Sequence, residues 1–90
     1  MSATLTARHT VADYAAWRLV YDEAETIRAR YGCVGHRVSH APGDDKDLFI
    51  THDFPTVEQA EGFAADADFG AAMQRAGVTS PPRIEIFEDV

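Results

Sequence analysis

A chain of 90 residues with a net charge of −7 and an isoelectric point near 4.8 has room for one domain, expected to span residues 1–90. Its acidic surface repels phosphate backbones and anionic lipid, which argues against nucleic-acid and membrane-surface partners. Cys33 is the single cysteine, so no internal disulfide can form. No segment is apolar for long enough to span a bilayer, and residues Met1 to Thr6 lack the basic start and apolar run of a secretion signal, so a cytoplasmic protein is expected.

Thr4–His9 alternates and predicts the first strand, with Leu5, Ala7 and His9 on one face and Thr4, Thr6 and Arg8 on the other. Thr10 is the expected N-cap of a helix, with Asp13 three residues on to favour its first turn. The helix is predicted to run to about Tyr31. Tyr14, Trp17, Val20, Tyr21, Ala24, Ile27 and Tyr31 fall on one stripe at helical period; Arg18, Asp22, Glu25, Thr26 and Arg30 fall opposite, as does Leu19. Gly32 stops it. Val34–His40 and Asp47–Phe54 read as a hairpin around the turn-forming stretch Ala41 to Lys46. Thr56 and Gln59 form a capping box for a second helix, which breaks near Asp66. Asp66 caps a shorter piece through Ala76, whose apolar face is Phe69, Ala72, Met73 and Ala76. Gly77 closes it, Pro81 and Pro82 block continuation, and Arg83 to about Val90 is the fourth strand.

Strand, helix, strand, strand, helix, strand is the order of an α+β, ferredoxin-like βαββαβ fold: a four-stranded antiparallel sheet with both helices on one face. Leu5, Ala7, Val34, Val38, Leu48, Ile50, Ile84 and Ile86 are expected beneath the helices. The opposite face would carry Thr6, Arg8, Arg37, Phe49, Thr51, Asp53, Glu85 and Phe87. That mixture of aromatics and charges of both signs suits a second copy packed sheet to sheet, its charges paired and its phenylalanines buried.

Three segments carry a resemblance: His9 to Trp17 at the first helix, Gly35-His36-Arg37-Val38 on the second strand, and Phe69 to Val78 followed by Pro81-Pro82. Together with the element order they make the chain resemble the dimeric α/β-barrel superfamily, in particular small proteins related to antibiotic-biosynthesis monooxygenases. The resemblance implies a homodimer through the helix-free sheet face and a small-molecule ligand held between sheet and helices. It also implies catalysis without an organic cofactor. The oxygenase members commonly use an asparagine on the first strand and a tryptophan on the third. Here those strands offer Arg8 and His9, and His52, a departure that favours proton transfer, such as cyclisation or isomerisation, over oxygen chemistry.

The histidines are the candidate catalytic residues. With strands one and three taken as parallel neighbours, His9 is expected beside His52, and the hairpin register pairs His36 with His52. Three imidazoles would then meet near one end of the helix-facing side. Such a trio admits three roles: a divalent metal site formed by His9, His36 and His52; acid-base or orienting groups in a ligand pocket; or partly buried polar residues without chemistry. Tyr14, Trp17, Tyr21, Phe63, Phe69 and Met73 are the expected substrate-binding wall, suited to a flat aromatic or polyketide-like molecule. In the proton-transfer scheme His52 or His36 is the base, and Tyr21 or Tyr14 donates to a developing enolate. The alternatives are a non-catalytic dimeric ligand-binding or stress-related module and a metal-binding protein.

Overall fold

The computed structural model describes residues 2–90; Met1, the first residue of the expected domain, lies outside the described residues. Four strands form one sheet: β1 (Ala3–Thr10), β2 (Gly35–Ala41), β3 (Asp44–Phe54) and β4 (Arg83–Glu88), in the order β2-β3-β1-β4 with every neighbouring pair antiparallel. This is the ferredoxin-like arrangement the element order predicts. One expectation is overturned. β1 and β3 are antiparallel, so His9 lies across from Leu48, and it is Leu5 that lies across from His52. β2 returns parallel to β1 after its helical crossover, and β3 turns back from β2 through a tight hairpin into the place between them, so β3 opposes both.

Each expected helix is present in two pieces. α1 (Tyr14–Glu23) and α2 (Glu25–Arg30) join at Ala24, whose N–H is shared between the carbonyls of Val20 and Tyr21. Asp13, not Thr10, is the N-cap, its carboxylate accepting from the Ala16 N–H at 2.8 Å. Thr10 is occupied elsewhere: its N–H donates to the Ser80 hydroxyl and its side chain bonds that of Thr79, which extends β1 and ties it to the segment after the last helix. α3 (Val57–Ala65) is capped by the Thr56 hydroxyl, and α4 (Ala67–Arg75) by Asp66, as the capping signals indicate. A clasp joins the two helix pairs: Tyr31 donates to Asp66 at 2.5 Å, and Arg30 reaches Asp66 and Asp68. Gly32, at φ 73° after α2, takes the left-handed conformation that ends the helix. The hairpin turn is tighter than predicted. β2 and β3 extend to Ala41 and Asp44, leaving Pro42 and Gly43, and Gly43 at φ 77° suits the second central position of a turn opened by proline.

The core lies between the sheet and the helices. Ala3, Leu5 and Phe54 pack against Ile27, Ala60, Phe63 and Ala72, while Ala7, Leu48 and Ile50 pack against Trp17, Tyr21 and Ala76. Fully burying a side chain such as Leu5 or Leu48 stabilises the fold by about 1.5–3 kcal/mol. Val38, Ile84 and Ile86, towards the sheet edges, are half-buried; Val34 precedes β2 and is exposed, against expectation. On the helix-free face Phe49 and Phe87 remain 43% and 56% exposed.

Candidate active site

The helix-facing side of the central strands carries His9, Ala7, Ile50 and His52, because residues two apart on a strand point the same way. All four helices supply side chains to the layer above them. Between the layers lies a cavity of about 50 Å³, lined by these side chains together with Trp17, Tyr21, Arg28, Phe63, Phe69 and Met73 among others. No aspartate or glutamate is among its lining residues.

An aromatic row runs through the site. Trp17 stacks on Tyr21 with centroids 4.9 Å apart and planes 17° apart. Tyr21 leads to His52 at 6.2 Å, His52 to Phe63 at 4.9 Å and Phe63 to Phe69 at 4.4 Å. His9 flanks Trp17 at 6.1 Å. His9 and His52 are 5% and 3% exposed, and none of their four ring nitrogens has a hydrogen-bond partner among the described residues. A neutral imidazole presents one donor and one acceptor, and leaving either unpaired in a buried place costs about 1–3 kcal/mol. Burial holds both rings neutral. The His9 pKa is lowered by desolvation, and that of His52 falls to about 3 through desolvation first, then the positive charges of Arg28 and of His36 when protonated.

His36 pairs with His52 in the hairpin register, as expected, with ring centroids 6.1 Å apart. It does not line the cavity. It stands behind Tyr21, its Nδ1 and the Tyr21 hydroxyl sharing a hydrogen bond, and its Nε2 lies 3.6 Å from Glu25 Oε2. With its side chain 34% exposed, His36 links the buried hydroxyl to solvent. Burial raises the Tyr21 pKa, which keeps the phenol protonated.

The expected trio therefore resolves into a pair and a single ring. His36 and His52 are neighbours, whereas His9 lies four residues further along the strand, about 13 Å away by strand rise. No three His, Cys, Asp or Glu side chains among the described residues are placed to hold a metal ion. Tyr14 also departs from expectation. It stacks on the outer side of Trp17 at 6.0 Å, and its hydroxyl accepts from Arg18.

Sequence patterning does not single out Arg28. It is 3% exposed and lies over the Tyr21 ring at 4.3 Å. Its Nη2 donates to the Tyr21 carbonyl and its Nε to Glu25, whose side chain is 64% exposed. The signal was present: Arg28 follows Tyr21 by seven residues, two helical turns, and so falls on the apolar stripe. Cys33 is half-buried, its thiol donates to the Gly35 carbonyl, and burial raises its pKa, all of which fits an inert thiol.

The fold has many solved counterparts. SnoaB, a cofactor-independent oxygenase from Streptomyces nogalater, superposes with a TM-score of 0.80 at 18% identity, covering 99% of this chain and 93% of that one. A candidate antibiotic biosynthesis monooxygenase from Bordetella bronchiseptica gives 0.81 at 19% identity over 99% and 97%. Another from Caulobacter crescentus CB15 gives 0.78 at 18% over 99% and 90%. No family model matches the chain, and no curated protein matches its sequence. The class these likenesses define is a fold class: the chain has the ferredoxin-like fold of antibiotic biosynthesis monooxygenase-like proteins. No helix among the described residues is long and apolar enough to cross a membrane.

Proposed function

We propose that this chain is a small catalytic domain that binds a flat, largely apolar molecule between sheet and helices and moves a proton on it, without an organic cofactor. The observation that carries the proposal is the pair of buried imidazoles, His9 and His52, whose ring nitrogens are unpartnered beside an aromatic-walled cavity. Unpaired buried polar groups are retained where a ligand or reaction uses them. In this scheme Trp17, Tyr21, Phe63, Phe69 and Met73 part to hold the body of the substrate, which is larger than the resting cavity of about 50 Å³, with Tyr14 supporting Trp17 from behind. Burial makes His52 a weak base in the empty cleft, so it accepts a proton from a carbon beside a carbonyl only as the enolate charge forms next to it and raises its basicity, and His9 hydrogen-bonds the far end. When His36 carries two protons it donates to the Tyr21 oxygen on one side and faces Glu25 on the other. The Tyr21 O–H is then free to donate to the oxygen on which charge develops. The resulting enolate can be reprotonated elsewhere, close a ring, or meet dioxygen.

A homodimer through the helix-free face belongs to the same proposal. Phe49 and Phe87 are exposed there, and Phe49 borders a hollow of about 260 Å³ with Arg37, Ser39 and Thr51. The charges on that face are partly paired within the chain: Arg8 grips Asp47 through two bonds, Arg83 reaches Glu85, and Asp53 accepts from Thr4. A cytoplasmic setting fits a chain whose one cysteine is a free thiol.

The test is deuterium incorporation from heavy water into an enolisable aromatic ketone such as 2-tetralone, followed by NMR with oxygen consumption recorded in parallel. Acceleration without oxygen uptake is expected. Oxygen uptake coupled to product would replace proton transfer by a monooxygenase-like reaction. No acceleration across a panel of ketones, with Trp17 fluorescence unmoved by any of them, would overturn the proposal.

A further inference from the structure

We infer that the cleft selects an anionic ligand, a flat apolar body bearing an ionised oxygen (carboxylate, phenolate or enolate), with Arg28 as its counter-ion. This rests on the ligand-binding role proposed for the cleft and names the class of molecule it takes.

Three observations lead there. First, Arg28 lines the cavity while 3% exposed, so its charge is withdrawn from water. A guanidinium is expensive to bury unless paired. Its one carboxylate partner, Glu25, is 64% exposed and is met through a single bond from Nε at 3.1 Å. Nη2 donates to the Tyr21 carbonyl at 2.9 Å, an uncharged oxygen, so Glu25 is the single carboxylate that meets Arg28 among the described residues. An ionised oxygen is the group that a guanidinium meets best. Second, the rings of His9 and His52 border the same cavity, and their nitrogens have no partner among the described residues. Third, no acidic residue lines the cavity, although acidic residues outnumber basic ones by 15 to 8 in the whole chain. The charge balance inside the cleft is thus the reverse of that of the molecule around it. The apolar wall formed by Trp17, Phe63 and Phe69 excludes water, which strengthens the attraction between a guanidinium and an anion.

Trp17 is the only tryptophan and sits in the wall, so its fluorescence reports occupancy without a label. Titration of the whole chain with benzoate and with its neutral isostere benzamide compares the same body with and without charge. Benzoate is expected to bind at least tenfold more tightly. Arg28→Met should abolish that preference and Arg28→Lys should retain part of it. 4-Nitrophenol separates the two sources of the anion: its visible absorption shows whether the bound form is ionised, and a shift to the ionised form on binding extends the class from carboxylates to phenolates. Equal affinity for benzoate and benzamide in the unaltered protein would overturn the inference while leaving a ligand cleft in place. Silence of Trp17 towards all three compounds would remove both. The comparison within the unaltered chain decides the matter even where Arg28→Met fails to fold.

Discussion

Acid should expose the cost of keeping His52 neutral. In the unfolded chain its imidazole titrates near 6.5; in the folded chain burial, Arg28 and His36 lower that to about 3. The folded pKa is the lower one, so the unfolded state binds the proton first. The stabilisation is therefore complete above the unfolded value and is lost as pH falls from 6.5 towards the folded value. Each pH unit in that window removes about 1.4 kcal/mol, so descent from about pH 6.5 to about pH 4.5 should cost about 2–3 kcal/mol through this group. His9, also lowered by burial, adds to the slope in the same direction. His52→Leu is nearly isosteric and cannot titrate. It also removes two unpartnered ring nitrogens packed against Phe63, so near neutral pH it should leave stability equal or raise it by about 1–3 kcal/mol. Urea unfolding at a series of pH values above the range where most carboxylates titrate measures both effects. The variant's midpoint should fall with acid much less steeply than that of the unaltered chain. Parallel decline of the two curves would show that His52 is not held neutral by the fold, and the argument built on its burial would fail.

Further expectations concern separate parts of the molecule. Tyr21→Phe should slow proton exchange by about 10²-fold while changing ligand affinity little, as expected for a donor used mainly in the transition state; equal losses in both would point to a binding role instead. Phe49→Glu places a charge on the exposed helix-free face and should convert the proposed dimer to a monomer in light scattering at micromolar concentration. A dimer that survives it would mean the subunits meet elsewhere. Asp13→Ala removes the carboxylate that caps α1 and should cost about 1 kcal/mol in denaturant unfolding. Gly32→Ala should destabilise by about 1 kcal/mol or more, because its φ of 73° disfavours a side chain and the new Cβ would meet Gln59 Nε2 at 2.8 Å.

The hairpin was the most legible part of the site. Alternation in β2 and β3 gave the faces, the faces gave the register, and the register gave His36 beside His52. The same alternation placed His9 on the correct face but could not place it along the sheet, because strand direction is decided by the connections and not by the strand's own pattern. Trp17 and Tyr21 were read from helical spacing and do line the cavity. Tyr14, on the same stripe, lies one turn too early to reach it. Arg28 also lies on the stripe, where a charged side chain is ordinarily assigned to solvent. The Ala24 break has no glycine or proline to announce it. Thr10 has the side chain of a cap, but its bonds to Thr79 and Ser80 come from a distant segment that local patterning does not see.

β1 is an interior strand whose neighbours are both remote in the chain, whereas β2 and β3 adjoin through two residues. The hairpin can zip in microseconds from local encounters. β1 must wait, first for β3 and then for β4, each at the entropic expense of closing a long loop. During synthesis β1 leaves the ribosome first and stays without its second flank until β4 follows, so an early termination anywhere before Arg83 would release a nascent chain with a raw, adhesive strand edge.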